Sequence, residues 1–205
     1  FALDVTGARA LDAGASTGGF TDALLQRGAA EVVAVDVGHG QLDARLRRDD
    51  RVVVRERTNV RHLAGSDEVG GPVDLVTADL SFISLRTVLP ALLAVARPGA
   101  DLVLLVKPQF EAGRQEVSRG KGVIVDPAVW RRVLAEVNGA LVSHGAVIMG
   151  AMASPLTGAD GNVEFLLWAR APGAVAPVAP AVDLDAVVTA VLDARLGTSA
   201  GDEGR

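Results

Sequence analysis

Between residues 11 and 20 the chain reads Leu11-Asp12-Ala13-Gly14-Ala15-Ser16-Thr17-Gly18-Gly19-Phe20. This glycine-rich turn follows an apolar run, Arg9 to Asp12, and leads into a helical pattern from Phe20 to Arg27. Glycines at such a turn let the backbone approach a ligand closely, and the free N–H groups of the following helix point toward it. The turn therefore predicts the nucleotide-cofactor loop of a Rossmann-like sheet.

The second apolar run, Glu31 to Asp36, ends on an acidic residue. A carboxylate at the end of the second strand of such a sheet can accept hydrogen bonds from both hydroxyls of a ribose. The glycine spacing is not the G-x-G-x-x-G of a dinucleotide site. NAD and S-adenosylmethionine therefore both remain open on these residues alone.

Apolar runs and helical patterns alternate along the chain, which predicts an α/β fold with a mostly parallel sheet covered by helices on both faces. Two late apolar runs in quick succession imply a final hairpin with one antiparallel strand. The predicted strands are Arg9–Asp12, Glu31–Asp36, Arg51–Arg55, Asp74–Asp79, Asp101–Lys107, Ala146–Met149 and Val163–Trp168. The predicted helices are Phe20–Arg27, Gln41–Arg48, Leu85–Ala96 (stopped by Pro98-Gly99) and Asp126–His144.

Two segments fall outside this alternation. Residues 109–125 lack periodicity and contain three glycines, which predicts a long loop of the kind used for substrate contact. Beyond Ala171 the composition changes to Pro, Ala, Val and Gly. We therefore expect a catalytic domain over residues 1–171, and a linker, one helix over Asp183–Leu196 and nine disordered residues within 172–205.

Composition excludes several classes of protein. The 205 residues include no cysteine and no tyrosine, and the net charge is −5. Disulfides, thiolate metal sites and cysteine nucleophiles are therefore excluded, and so is a short-chain dehydrogenase with its catalytic tyrosine. Three scattered histidines predict no metal site. We find neither a membrane-length apolar run nor a signal peptide, and we expect a cytoplasmic protein.

Three polar residues stand where a binding crevice should open. Asp79 ends the fourth predicted strand, Lys107 ends the fifth, and Glu164 begins the last. Ligands of open α/β sheets bind outside the carboxyl ends of the parallel strands, and an antiparallel last strand would bring its start to that same edge. A lysine that follows an apolar strand and lies near carboxylates is suited to accept a proton.

The sequence resembles the TlyA family of hemolysin-like rRNA 2′-O-methyltransferases, which are related to the FtsJ (RrmJ) fold. The match runs from about residue 8 to 170, with the motifs in the family's order. They are Leu11–Phe20, Glu56-Arg-Thr-Asn-Val-Arg61, Asp79-Leu-Ser-Phe-Ile-Ser84, Val106-Lys-Pro-Gln-Phe-Glu111, Ser154-Pro-Leu and Gly161-Asn-Val-Glu164.

The resemblance implies a Rossmann-like class I methyltransferase domain with a seven-stranded sheet, S-adenosylmethionine as cofactor, and a ribose 2′-hydroxyl of rRNA, in a cytidine, as substrate. The family's catalytic set is Lys-Asp-Lys-Glu, and Asp79, Lys107 and Glu164 match its last three members. The first lysine and a small N-terminal RNA-binding domain precede the first strand and have no counterpart here. We therefore expect this chain to be a fragment of a protein that binds rRNA or a ribosomal subunit.

Further residues receive roles on the same basis. We expect Gly14, Ser16, Gly18 and Gly19, followed by Phe20, to line the methionine part of the cofactor, and Asp36 to bind its ribose. Asp12 should fix the loop and reach the cofactor's amino group, and Thr58 and Asn59 should lie near the adenine, with Asp79 also at the cofactor.

RNA contacts require local positive charge, which the acidic total does not exclude. We expect them from Arg114, Arg119 and Lys121 in the 109–125 loop and from Phe110, which with Phe82 could stack on a nucleotide. A second basic cluster, Arg45 to Arg61, is interpreted as a solvated helix face.

Three alternatives stay open. A base-directed amino-methyltransferase would explain Asp79-Leu-Ser-Phe82, but this sequence lacks the prolines that such a site contains. In such an enzyme Lys107 and Glu164 would also have no role. A membrane-active hemolysin is suggested by the family's name alone. A fragment that binds cofactor without catalysis is the third, because the first catalytic lysine is missing.

Overall fold

The computed structural model describes residues 1–173 and 182–199, apart from the side chains of residues 114, 115, 119, 159 and 196–199. Within these ranges the strands form one seven-stranded sheet in the order β3-β2-β1-β4-β5-β7-β6. The strands are β1 (Arg9–Ala13), β2 (Glu31–Val35), β3 (Val52–Arg55), β4 (Val73–Ala78), β5 (Ala96–Val106), β6 (Val147–Ala153) and β7 (Phe165–Arg170).

Strands β1 to β5 are parallel, and β7 pairs antiparallel with both β5 and β6. The predicted mostly parallel sheet, with an antiparallel last strand, is confirmed. Val106 at the end of β5 faces Phe165 at the start of β7. This register brings Lys107, which follows β5, and Glu164, which precedes β7, to the same edge of the sheet.

Seven helices lie within the described ranges, at α1 (Gly19–Gln26), α2 (Ala44–Arg47), α3 (Leu85–Val95), α4 (Pro108–Glu111), α5 (Arg114–Arg119), α6 (Pro127–Ser143) and α7 (Leu184–Ser199). Apolar side chains of α1 and α2, such as Leu24 and Leu46, form one core cluster. Those of α3, α6 and α7 form a second, larger cluster. The sheet strands, apolar on both faces, are thus covered on both sides, as their sequence predicts.

Capping explains where two of the helices begin. Ser84 accepts a hydrogen bond from Arg86 N at the start of α3, and Asp126 accepts one from Ala128 N at the start of α6. Pro127 occupies the first turn of α6, where its missing N–H costs nothing. Both caps are local signals, because each lies directly before the helix that it starts.

The structure corrects the prediction that residues 109–125 form one irregular loop. Two short helices, α4 and α5, occupy most of its first half. Pro108 starts α4, and Glu111 fixes its end through contacts with the start of α3. The residues that make these contacts are far apart in the sequence, so the pattern of apolar residues in this segment does not indicate them. Strand β5 also begins earlier than predicted, because Ala96 already pairs with Val73 of β4, and an irregularity that contains Pro98 and Gly99 separates this pair from the regular pairing that starts at Asp101.

Helix α7 extends to Ser199 and so includes three of the nine residues predicted to be disordered. It packs on α6 and β6, and Val188 is fully buried in the larger core cluster. The rest of that predicted tail, and residues 174–181 of the predicted linker, lie outside the described residues. In the part of the chain that the structure describes, no helix is long and apolar enough to cross a membrane.

Candidate active site

The glycine turn comes into direct contact with the loop that follows β4. A Cβ atom on Gly14 would lie 2.1 Å from the carbonyl oxygen of Asp79, and Gly14 has a φ of +83°. Asp79 N in turn donates to Ala13 O at 2.9 Å. Only glycine fits here, and it places the predicted cofactor loop beside Asp79.

Asp12 holds this turn from beneath and is almost fully buried. Its Oδ2 atom accepts hydrogen bonds from Thr21 N at 2.9 Å and Thr21 Oγ1 at 2.7 Å, and its Oδ1 atom accepts one from Thr77 Oγ1 at 3.1 Å. One carboxylate therefore joins β1, the start of α1 and β4. Burial raises the pKa of Asp12 to about 6, although the bonds from Thr21 and Thr77 act in the opposite direction.

Asp36 organises the outer side of the turn. Its carboxylate accepts hydrogen bonds from Ser16 N at 2.9 Å and Gly38 N at 2.7 Å. A cavity of about 440 Å³, here called the Asp36 cavity, opens beside it. Its lining includes Gly14, Ser16, Asp36, Asn59 and Asp79, together with the apolar side chains of Val37, Val60, Leu80, Ile83 and Val88.

A second cavity of about 580 Å³, the Lys107 cavity, adjoins the first, because Gly14, Ser16 and Asp79 line both. Its other lining residues include Asp12, Gly19, Phe20, Lys107, Glu164 and residues 154–158. The two cavities form one trough that runs from Asp36 to Lys107.

The predicted cofactor residues do not all line this trough. Gly18 is buried beneath α2, where a Cβ would meet Leu46 Cδ1 at 2.2 Å. Thr58 uses its hydroxyl on the backbone of Glu56. Asn59 lines the Asp36 cavity, but its side-chain oxygen accepts a hydrogen bond from Arg61 N and so caps the 3₁₀ turn Val60–His62.

Lys107 and Asp79 form an ion pair at the junction of the trough. Lys107 Nζ lies 2.5 Å from Asp79 Oδ1 and 3.5 Å from Ser81 Oγ. The lysine side chain is 13% exposed. Asp79 Oδ1 is buried and has no hydrogen-bond partner of good geometry in the described part of the chain, so its contact with Lys107 Nζ offsets the cost of burying this atom.

Glu164 lies on the other wall of the Lys107 cavity. Burial raises the pKa of its carboxyl, and the charge of Lys107 together with a 3.1 Å hydrogen bond from Gln109 Nε2 act against that rise. The Oε1 atom of Gln109 is buried and has no hydrogen-bond partner among the described residues. The structure thus brings Asp79, Lys107 and Glu164 to one place, as the sequence predicts.

Aromatic rings flank this centre on the outside. Phe82 is 91% exposed and has a φ of +63°, and its ring centroid lies 5.1 Å from that of Phe110. Both rings line a third cavity of about 700 Å³, the Phe82 cavity, together with Ser84, Gln109 and Asn162. An exposed aromatic residue in the left-handed region is strained, and the surrounding structure must hold it there.

The two basic clusters differ in what the structure describes. Arg45, Arg47, Arg51 and Arg55 each pair with a carboxylate, whereas Arg57 and Arg61 are exposed and Arg61 lines the Asp36 cavity. Lys121 is exposed on the turn after α5. Arg114 and Arg119 belong to α5, but their side chains lie outside the described residues.

Sequence reasoning did not single out Ser81, Gln109 or Glu111, although all three lie in the quoted motifs. Their neighbours Asp79 and Lys107 drew attention because charged residues at strand ends are informative. Nothing in the sequence indicates that Gln109 contacts Glu164, which is 55 residues away.

Comparison with known proteins agrees with this geometry. The family model of the FtsJ-like methyltransferases matches residues 1–171. The chain belongs to the FtsJ-like methyltransferase family. A Mycobacterium tuberculosis protein named 16S/23S rRNA (cytidine-2′-O)-methyltransferase TlyA is 58% identical over 170 residues, which cover 83% of this chain and 63% of that protein.

Two further relatives are similar to this FtsJ-like methyltransferase chain over most of its length. Hemolysin A of Brachyspira hyodysenteriae is 39% identical, over 81% of this chain and 69% of that one. The crystal structure of a Lactococcus lactis relative superposes with a TM-score of 0.85 at 40% identity, covering 93% of this chain and 90% of that one. This FtsJ-like chain thus spans about two thirds of the length of the curated relatives named here.

The buried carboxyl of Asp12 makes the stability of the fold depend on pH. Its pKa of about 6 in the folded chain exceeds its ordinary value of 3.8. The folded state therefore binds more protons than the unfolded state between these values, and stability falls as pH rises through that window. We expect the free energy of unfolding of Asp12→Asn, which lacks this charge, to rise by about 2 kcal/mol relative to that of the native chain between pH 4 and pH 7.5.

Urea unfolding of both proteins at the two pH values measures this difference. The exposed Asp50→Asn is the control and should show a difference from the native chain that is flat with pH. A flat difference for Asp12→Asn as well would contradict an ionisation-linked cost at this residue.

Proposed function

We propose that this chain carries the cofactor site and most of the catalytic residues of an enzyme that methylates a ribose 2′-hydroxyl of rRNA, in a cytidine, with S-adenosylmethionine as methyl donor. The observation that carries the proposal is the Lys107–Asp79 ion pair, which lies in the same trough as the glycine turn. The substrate class is supported by the name of the M. tuberculosis relative.

The trough has the chemistry that S-adenosylmethionine requires. The Asp36 carboxylate accepts two backbone hydrogen bonds and keeps further lone pairs for the ribose hydroxyls. The apolar side chains of Val37, Val60 and Ile83 suit the adenine. Gly14, Ser16, Gly19 and Phe20 border the remainder, and Asp12 and Asp79 supply negative charge for the ammonium and sulfonium groups. Gly18 acts by shaping the turn, and Thr58 supports the Asp36 strand end.

When bound, S-adenosylmethionine supplies an electrophilic methyl group, so that the bond from methyl to the 2′-oxygen forms as the methyl–sulfur bond breaks. Once the Lys107 ammonium group has released a proton to solvent, its neutral Nζ accepts the proton of the 2′-hydroxyl. Asp79 orients the lysine through their 2.5 Å contact and stabilises the ammonium ion that results. Glu164, held by Gln109, supplies a second carboxyl on the opposite wall.

The Phe82 cavity opens beside this centre and suits the target nucleotide. Phe82 and Phe110 offer ring faces on which an unstacked base can stack. The buried Gln109 Oε1 can accept a hydrogen bond from an amino or hydroxyl group of that nucleotide. Because this acceptor lacks a partner among the described residues, a donor on the substrate would relieve its desolvation cost.

The RNA backbone would meet positive charge at the rim. Lys121 is exposed on the turn after α5, whose first and last residues are Arg114 and Arg119. Arg57 is also exposed, and Arg61 lines the Asp36 cavity. Phosphate contacts depend on such local charge and not on the net charge of the chain. The partner would be rRNA or a ribosomal subunit, and the protein would act in the cytoplasm.

One experiment separates this proposal from its rivals. Full-length protein is incubated with rRNA and methyl-labelled S-adenosylmethionine, and 2′-O-methylation is mapped on the RNA. Label on a cytidine ribose supports the proposal, whereas label on a base, or none although the cofactor binds, overturns it in favour of an amino-methyltransferase or a non-catalytic cofactor-binding protein. Leakage of dye from liposomes without methyl transfer would support a membrane-active protein.

The first prediction of this mechanism concerns Lys107. We expect Lys107→Ala in the full-length enzyme to lower the rate of methyl transfer about 10²- to 10⁴-fold, because it removes the proton acceptor. The dissociation constant for S-adenosylmethionine should change less than about threefold, since binding rests on other residues. Calorimetry and rRNA methylation assays measure the two effects.

The matched control is Arg97→Ala, which removes an exposed cation paired with Asp74 at the opposite edge of the sheet. It should leave turnover unchanged. Undiminished turnover in Lys107→Ala would rule out the proposed role of the lysine.

The second prediction concerns Asp36 and can be tested on this chain alone. We expect Asp36→Asn to weaken S-adenosylmethionine binding about 10- to 100-fold, because hydrogen bonds to a charged acceptor contribute more than those to a neutral one. Calorimetry at neutral pH provides the measurement, with Asp50→Asn as a surface control. Equal affinity of the native and Asp36→Asn chains would remove Asp36 from the cofactor site.

The third prediction concerns base stacking. We expect Phe82→Ala to reduce kcat/KM for rRNA about 10- to 100-fold, because stacking of one base on an aromatic ring contributes on this scale. Affinity for S-adenosylmethionine should stay within about twofold, and the free energy of unfolding should not decrease, since the ring is exposed and strained. An unchanged kcat/KM would exclude Phe82 from substrate contact.

A further inference from the structure

Glu111 is a buried acid without a part in the proton transfer described above. The residue is 5% exposed and its side chain 2%. Its Oε1 atom accepts a hydrogen bond from Leu85 N at 2.5 Å, and its Oε2 atom accepts one from Ser84 Oγ at 2.5 Å. A buried carboxylate with this many short contacts is held in one place.

These contacts connect two segments that leave adjacent strands. Leu85 is the first residue of α3, and the loop before it, residues 79–84, leaves β4 with Asp79 and Phe82. Glu111 lies four residues after Lys107, and its N–H donates to Lys107 O at 3.2 Å. The carboxylate of Glu111 therefore joins the segment that carries Lys107 to the segment that carries Asp79.

The 79–84 loop requires such an anchor. It holds Phe82 in the left-handed region and exposed, a conformation that costs free energy and persists only where neighbouring contacts impose it. Glu111 closes the far end of this loop by binding a free N–H at the start of α3, where a negative charge is also favoured by the helix dipole.

Arg86 completes the anchor. Its Nε atom lies 3.3 Å from Glu111 Oε2, and its Nη2 atom donates to Glu111 O at 2.9 Å. Its Nη1 atom lies 2.8 Å from Glu136 Oε2 on α6. The buried charge of Glu111 is thus compensated by a cation that is itself fixed to the larger core.

We propose that Glu111 is a positioning residue for methyl transfer. Through its contacts with Ser84 and Leu85, Glu111 fixes the 79–84 loop against the segment that carries Lys107. It thereby sets the geometry of the Asp79–Lys107 pair and of the Phe82–Phe110 pair. The role in turnover rests on the proposed function. The role in fixing the loop does not, and it can be measured without activity.

The experiment compares Glu111→Gln and Glu111→Ala with native full-length protein. Hydrogen exchange, read on peptides that span Leu80–Ser84, should become about 10- to 100-fold faster in Glu111→Ala and change less in Glu111→Gln, which keeps an acceptor for Leu85 N. Turnover of rRNA should fall in the same order, with kcat reduced about 10- to 100-fold in the alanine variant. Affinity for S-adenosylmethionine should stay within about twofold.

Glu136→Gln is the matched control. It removes the other carboxylate partner of Arg86 and leaves the contacts of Glu111 to Ser84 and Leu85. We expect its loop exchange and kcat to stay within about twofold of native. This control separates positioning of the loop from a general loss of stability between α3 and α6.

Each outcome decides one point. Native exchange of the loop in both Glu111 variants overturns the inference, and so does cofactor affinity that falls in step with kcat, because Glu111 would then act through general stability. If loop exchange is faster in the Glu111 variants but the native protein does not methylate rRNA, the role of Glu111 in fixing the loop is supported and the proposed function is rejected.

Discussion

The close approach of Gly14 to the backbone of Asp79 is the constraint on which the rest of the site depends. No side chain fits between the loop after β1 and the loop after β4, since a Cβ would come within 2.1 Å of the Asp79 carbonyl oxygen. The two loops therefore share one wall, and the cavity beside Asp36 continues into the cavity beside Lys107. Asp12 supports this contact from below by joining β1, α1 and β4. The proposed cofactor site and the proposed reaction centre are adjacent because β1 is followed directly by a glycine that allows the loop after β4 to approach it.

Much of this arrangement could be predicted from local patterns. Strand ends at Asp36, Asp79 and Lys107 are visible in the sequence because apolar runs stop there, and topology then places them at one edge of the sheet. Glu164 required one more inference, that the last strand is antiparallel. The helix starts at Ser84 and Asp126 were likewise predictable, because a cap and its helix are neighbours in sequence.

What the sequence concealed depends on contacts between distant residues. The end of α4 is fixed by hydrogen bonds that Glu111 accepts from residues 26 and 27 positions earlier, and such bonds leave no periodicity in the sequence. Phe82 is exposed, and Gln109 contacts Glu164, because loops that are distant in sequence meet at one edge of the sheet. In the basic run, Arg47 pairs with Glu56 and Arg55 with Glu68, which lie 9 and 13 residues further along the chain. Helix α7 packs on the core through Val188, where composition suggested an appendage.

Strand β7 lies between β5 and β6 and pairs antiparallel with both, with Phe165 opposite Val106 on one side and Ala153 on the other. Successive residues of a strand point to opposite faces, so a slip of one residue in this pairing would turn Glu164 away from Lys107 and bring apolar side chains of β7 out of the core. Insertions and deletions within this strand should therefore be rare in related chains. A designer who grafts a new substrate loop onto this scaffold would need to preserve the count of residues from Glu164 onward.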